Sequence, residues 1–464
     1  MKPLLPILLA CVAAAVHAQS PTPTERVRLQ VDPQTVVAAL PDDFIGFGYE
    51  TSALARVGFF SAGHAHLIQL YRTLGPHGLV RIGGIIGDHT HFEPQGTPVP
   101  HTAQDTTVIN RAVLADLGAF LRATGWQAMW TLNLGTGSKE EAAEEALAVQ
   151  AALGDRLHSF EIGNEVDMLK KFDGYASYHA AYLEYKAAVR AALPGAVFSG
   201  PDSAANMEWS LNFARTEARD MRLLIHHYYR GGARSPEATI ETLLGPHPAW
   251  DTKLQKLHDA CAGNGIAFRI NEVNSFFGGG KPGVSDTFAS ALWCLDYMFR
   301  VASYGGAGVN LETDVNQIGF VSHYSPIFRD ESGDLSARPE YYGMLAFSLA
   351  GHGSLVKLTT SEHALNLTAY ATQHPYGALW ITIINKDLAL AANVELTLPE
   401  GRATAEAFRL TAPSAQSKSD VTLAGAPVAA DGTWTPHEPE KISVVGRIAS
   451  FPVPAASAVL VRLR

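Results

Sequence analysis

The chain has 464 residues, 47% of them hydrophobic and 17% charged, a globular composition with no low-complexity or fibrous bias. Acidic residues outnumber basic ones by 45 to 35 for a net charge of −10, and no Lys/Arg-rich run occurs, which excludes a dedicated nucleic-acid binder. The length exceeds one small domain and suits a barrel of roughly 250 to 300 residues with a second unit attached.

At the start, Lys2 supplies a short positive region, Leu4 to Val16 an apolar stretch, and Val16-His17-Ala18 a small-x-small cleavage site. This predicts a signal peptide over residues 1–18, cleaved near Ala18, and a secreted or periplasmic protein. The apolar run is too short for a membrane anchor. Cys11 would leave with the signal; Cys261 and Cys294 then read as buried free thiols, with a disulfide as the alternative. Residues 19–37 read as a polar linker followed by a strand at Val27–Val31, whose alternation suits a half-buried edge. No nearby segment pairs with it, so its partner is expected in the C-terminal part of the chain.

From residue 38 to 350 strand-like and helix-like patterns alternate. The predicted strands are Phe44–Glu50, Leu79–Gly84, Gln127–Leu134, Ser159–Glu165, Val197–Asp202, Met221–Tyr229, Phe268–Asn274 and Gly308–Thr313. Helical patterns such as Glu140–Leu153, Tyr175–Leu193 and Asp286–Tyr304 lie between them. Eight such repeats predict an α/β fold, a (β/α)₈ barrel. Residues 351–464 change texture to short alternating runs separated by Pro and Gly, which predicts an all-β sandwich domain that recruits the N-terminal strand.

Two strands end in carboxylates. Glu165 follows Asn164 at the end of the fourth, and Glu272 follows Asn271 in the seventh. In a barrel of this kind catalytic groups sit at the C-terminal strand ends, and strands four and seven face each other across the mouth. Two carboxyl groups about 5 to 5.5 Å apart are what double-displacement cleavage of a glycosidic bond requires. Glu165 suits the acid/base, with Asn164 beside it to hold a sugar hydroxyl, and Glu272 suits the nucleophile, its pKa kept low by hydrogen bonds. The adjacent pair His226-His227 cannot share a metal, because neighbouring strand residues point to opposite faces. No metal and no organic cofactor is expected. Gly278–Gly280 is not a phosphate loop, since no Gly-Lys-Ser/Thr follows.

Asn-Glu ending strand four and Glu ending strand seven resemble the clan A glycoside hydrolases. Arg81–Gly84 with Asp88, Gly163–Glu165, His226–Tyr229 and the long stretch Asn271–Phe288 make the chain similar to glycoside hydrolase family 79, which contains β-glucuronidases and heparanases. The resemblance implies that Tyr228 donates to the nucleophile with His226 beside it on the same strand. It implies that Glu50 and Asp88 hold sugar hydroxyls and that Tyr324 binds a uronic acid carboxylate with nearby backbone amides. It departs at Phe277, where the family commonly carries a tyrosine, and at Ser322, where heparanase has glycine. No long insert follows strand two, so a single-chain exo-acting enzyme is expected. The expected activity is that of a retaining exo-β-glucuronidase releasing glucuronic acid from a glycan or glycoside. An endo-acting heparanase-like or hyaluronidase-like enzyme, a clan A glycosidase on a neutral sugar, and a non-catalytic carbohydrate binder are the alternatives.

Overall fold

The computed structural model describes residues 24–100, 106–314 and 322–464. The expected signal peptide and Cys11 lie outside the described residues. Eight parallel strands form one sheet: Gly46–Glu50, Leu79–Gly83, Gln127–Leu132, Leu157–Ile162, Gly200–Ser203, Leu223–Gly232, Ala267–Phe277 and Val309–Thr313. Neighbours in sequence are neighbours in the sheet, and the eighth strand pairs with the first through Leu311–Phe47 and Glu312–Gly48. Between strands four and five the ladder is carried by a parallel bridge at Phe160–Phe198, where the Phe160 amide donates to Val197 O at 2.8 Å. That contact closes the barrel.

Each strand is followed by a helix that covers it, from Ala65–Leu74 after the first to Pro339–Ala350 after the eighth. Local chemistry places these helices. Lys139–Leu153 starts in a capping box in which Ser138 accepts from the Glu141 amide and the Glu141 side chain accepts from the Ser138 amide. Arg111–Thr124 begins at Asn110, whose side chain takes two amides, and stops at Gly125 in the left-handed region. Every residue of the first, second and eighth strands is buried, as a sheet packed on both faces requires. Cys261 and Cys294, on two of the covering helices, are buried free thiols.

The second unit is an 11-stranded sheet that wraps around its own core of Val, Leu and Ile side chains, including Leu29, Ile381, Val394 and Val461. Its N-terminal strand runs from Thr24 to Leu40, longer than the alternation at Val27–Val31 predicts. It pairs antiparallel with Gly353–Thr360 on one side and parallel with Ala391–Thr397 on the other. The expected long-range partner of this strand is therefore two partners, and the first described segment lies inside the last sheet.

Barrel and sheet domain are locked together by hydrogen bonds and apolar packing. Asp296, buried on helix Phe288–Ser303, accepts from Thr368 at 2.6 Å, Tyr370 at 2.8 Å and the Lys386 ammonium at 2.5 Å, all three from the sheet domain. Trp380 and Phe408 of the sheet belong to the same apolar cluster as the barrel helices. Among the described residues no helix is long and apolar enough to cross a membrane.

Candidate active site

The strand ends converge on a cavity of about 480 Å³ lined by Glu50, Glu165, Glu272 and Glu312, with His227 and Tyr229 between them. Strand four stops at Ile162. Gly163 (φ 84°) and Glu165 (φ 43°) both adopt the left-handed region, so the chain turns sharply and turns the Glu165 carboxyl into the mouth. Glu165 is one of the few non-glycine residues held there, a local strain of the kind that marks functional sites. In strand seven the pairing with strand six slips by one residue between Arg269 and Glu272. This bulge lets the consecutive residues Asn271 and Glu272 both point inward. Asn271 donates to Glu161 at 2.6 Å and Asp202 at 2.7 Å, while Glu272 faces the cavity.

Oxygens of Glu165 and Glu272 and a ring nitrogen of His227 all lie within 4.8 Å of one another. His227 Nδ1 sits 3.4 Å from Glu165 and 3.6 Å from Glu272, and its Nε2 is 3.1 Å from Asp202. Burial opposes charge on this ring, but Glu272, Asp202 and Glu165 overcome it and push the imidazole up to about 10. Beneath it runs Arg81, fully buried on strand two. Its guanidinium donates to Glu272 at 2.7 Å, to Asn164 Oδ1 at 2.6 Å and to Glu161 at 3.4 Å. Burial works to raise the Glu272 carboxyl; the charges of His227 and Arg81, with hydrogen bonds from Tyr229 and Arg81, hold it below the usual carboxylate range. Glu272 therefore stays ionised in a buried pocket, as an attacking group must.

The residues predicted from sequence are distributed unequally around this cavity. Asn164 accepts from Arg81, leaving its amide nitrogen as the remaining donor. Glu50 lines the cavity, takes the Ile86 amide at 2.8 Å, and is pushed up to about 8 by burial and then by Glu272, against the pull of that amide. Tyr324 lines the cavity with its ring stacked 6.2 Å from that of Tyr229. Phe277 stands on the rim, more than half exposed, and Ser322 is buried with its hydroxyl on Ser325.

Two expectations on strand six are corrected. The Tyr229 hydroxyl, not that of Tyr228, donates to Glu272, at 2.9 Å. Tyr228 turns outward to His247 Nδ1 at 2.8 Å and packs its ring 4.1 Å from Trp250 of a covering helix. His226 likewise points away from the cavity, to the hydroxyls of Ser203 and Ser210, and His227 is the ring that faces the carboxylates. The alternation is intact but its parity is the opposite one. Asp88 is also corrected: it does not line the cavity. Its oxygens take the amides of Leu134 and Gly135 at 2.9 Å each and of Asn164 at 3.0 Å, so it stitches the ends of strands two, three and four together.

Sequence reasoning missed Arg81 as the hub, His227 and Tyr229 as the inward pair, Asp202, and Glu312. Glu312 stands one residue before the end of strand eight, beside strand one, which ends in Glu50, and a second carboxylate near a neighbouring strand end was the available signal.

Comparisons with known proteins agree with this architecture. Residues 360–460 match the glycosyl hydrolase family 79 C-terminal beta domain. A β-glucuronidase of Aspergillus niger is 23% identical over 371 residues, 68% of each chain. One of Neurospora crassa is 23% identical over 440 residues, covering 80% of this chain and 76% of the relative. Among solved structures, a 4-O-α-L-rhamnosyl-β-D-glucuronidase from Fusarium oxysporum 12S superposes with a TM-score of 0.79 at 19% identity, over 94% of this chain and 99% of that one. An α-L-arabinofuranosidase from Thermotoga maritima, 18% identical, gives 0.70 over 94% and 99%.

Proposed function

We propose that this chain belongs to glycoside hydrolase family 79 and is an exported retaining exo-β-glucuronidase, a reading supported by the match of residues 360–460 to that family's C-terminal beta domain and by the β-glucuronidase relatives. The observation that carries the reading is the carboxyl pair: Glu165 and Glu272 oxygens within 4.8 Å of each other, the separation of double displacement rather than of inversion, which needs about 6.5 Å or more. In this reading Glu165 protonates the glycosidic oxygen while Glu272 attacks the anomeric carbon from the other face. Glu165 then takes a proton from the incoming water as its oxygen bonds to the anomeric carbon and the bond to Glu272 breaks, freeing the sugar and the Glu272 carboxylate. Tyr229 and Arg81 hold the nucleophile's two oxygens apart and oriented. His227 lies 3.4 Å from Glu165 and 3.6 Å from Glu272, so its positive charge favours whichever of the two is ionised as the proton moves.

The substrate class follows the relatives named β-glucuronidase. Tyr324 and the glycines at 278 and 279 line the cavity where hydrogen-bond donors, rather than a full cation, can receive a uronate. No Lys or Arg lines the cavity among the described residues, which supports exo action on a single terminal sugar over an open cleft that grips a polyanion. The leader at residues 1–18 supports export.

The test is hydrolysis of p-nitrophenyl β-glucuronide and β-glucoside by wild type and by Glu272→Gln. Release from the glucuronide alone, abolished in the variant, supports the reading. Preference for the glucoside would move the enzyme to a neutral sugar, with Phe277 as the reason. A folded protein inert on both would require a longer glycan or a binding role.

A further inference from the structure

We propose that Glu312 is a specificity-determining residue of the sugar subsite, a carboxyl reserved for one ring hydroxyl of the substrate. The inference rests on the glycosidase reading above and adds a residue to it. Glu312 is 2% exposed, and neither of its carboxyl oxygens has a hydrogen-bond partner. A buried polar group is ordinarily paired, so an orphan aimed into a cavity marks a place where a ligand completes the bonding. The backbone is shaped to permit it. Glu312 pairs with Gly48 on strand one, and a Cβ at Gly48 would come within 2.4 Å of the Glu312 carboxyl. The absent side chain at Gly48 is the notch in which this carboxyl lies.

The surroundings select the ligand chemistry. The ionised Glu272 lines the same cavity, so a negatively charged part of the substrate is disfavoured beside it. Burial, then Glu272 and Glu50, drive the Glu312 carboxyl well above its ordinary range, which favours its protonated form. A neutral carboxyl presents one donor and one acceptor, the complement of a hydroxyl, which also donates and accepts. The sugar is thereby oriented, with a hydroxyl toward strands one and eight and its carboxylate directed away from them.

The experiment is a set of thermodynamic cycles with p-nitrophenyl β-glucuronide and its 2-, 3- and 4-deoxy analogues, using wild type, Glu312→Gln and Glu312→Leu. On the parent, Glu312→Leu should lose about 10- to 100-fold in kcat/KM, the scale of one buried hydrogen bond to a carboxyl, with Glu312→Gln losing less. For one deoxy analogue wild type should already be slowed, and both substitutions should add less than about threefold. An equal loss on all four substrates by the isosteric Glu312→Gln, which preserves volume and folding, would overturn the proposal. If glucuronides prove inert and β-glucosides are cleaved, the same cycles on deoxyglucosides test Glu312 independently of the glucuronidase reading.

Discussion

The hydroxyl of Tyr229 donates to Glu272 from a strand on which the adjacent Tyr228 points the other way, into the helix layer. The two tyrosines differ by one position and by everything they touch. Tyr229→Phe removes a hydrogen bond to the attacking carboxylate and should lower kcat by about 10- to 100-fold while the fold is retained. Tyr228→Phe should leave kcat near wild type and act on stability instead, by about 1 kcal/mol through the lost bond to His247. Steady-state kinetics and thermal melts of the pair decide between them. Equal kinetic losses would mean that strand six is inverted.

If Glu165 is the proton donor, its amide variant should discriminate between leaving groups. Glu165→Gln should cleave a dinitrophenyl glycoside, whose phenolate needs no protonation, far better than a methyl glycoside. A uniform drop across leaving groups of different acidity would remove Glu165 from that role.

Glu145 offers a pH test outside the active site. It is buried on helix Lys139–Leu153 with the Trp130 indole donating to it at 2.9 Å, and burial pushes its carboxyl up to about 8 from an ordinary value of 4.5. Because the folded state binds this proton more tightly than the unfolded one, Glu145 costs nothing below about pH 4.5. It destabilises progressively as pH rises toward 8, by up to about 1.4 kcal/mol per unit. Glu145→Gln should therefore melt like wild type near pH 4.5 and at a higher temperature than wild type at pH 8.5. A gap that is constant with pH would mean that Glu145 does not titrate in this window.

The buried pair Asp296–Lys386 joins the two domains. Removing one member leaves the other charge buried without its partner, which costs about 3 to 5 kcal/mol, whereas replacing both leaves no unpaired charge and removes only the acceptor of the Thr368 and Tyr370 hydroxyls, a smaller cost of about 1 to 3 kcal/mol. Lys386→Met alone should lower the melting temperature more than the Asp296→Leu/Lys386→Met double variant does. The reverse order would show that the pair stabilises beyond its own burial cost.

How much of this could be read in advance depended on the local signal. The eight strands were legible because apolar runs bounded by Gly and Pro recur with helix-length patterns between them. The inner face of strand six was not. In His226–Tyr229 four large polar-aromatic residues follow one another, both faces of a barrel strand are buried, and alternation alone does not say which pair faces inward. The joint inward direction of Asn271 and Glu272 depends on a bulge, and a bulge is a relation between two strands, invisible in either one. Asp88 misled because an acidic residue at a strand end looks the same whether it meets a sugar or three backbone amides. Glu312 was overlooked among Asn310 and Thr313, and its meaning appears only with Gly48 across from it.

The strand Thr24–Leu40, held between Gly353–Thr360 and Ala391–Thr397, also sets an order of events. It is made before the barrel, yet both of its neighbours are made after the whole barrel. A nascent chain must carry this segment unpaired through nearly its entire synthesis, and for an exported chain through translocation as well. The same arrangement means that residues 351–464, produced alone, would have an open slot in the middle of a sheet rather than at its margin. A peptide spanning 24–40 is the piece that fills it, so the smallest self-sufficient version of the sheet domain is made of two segments that flank the barrel in sequence.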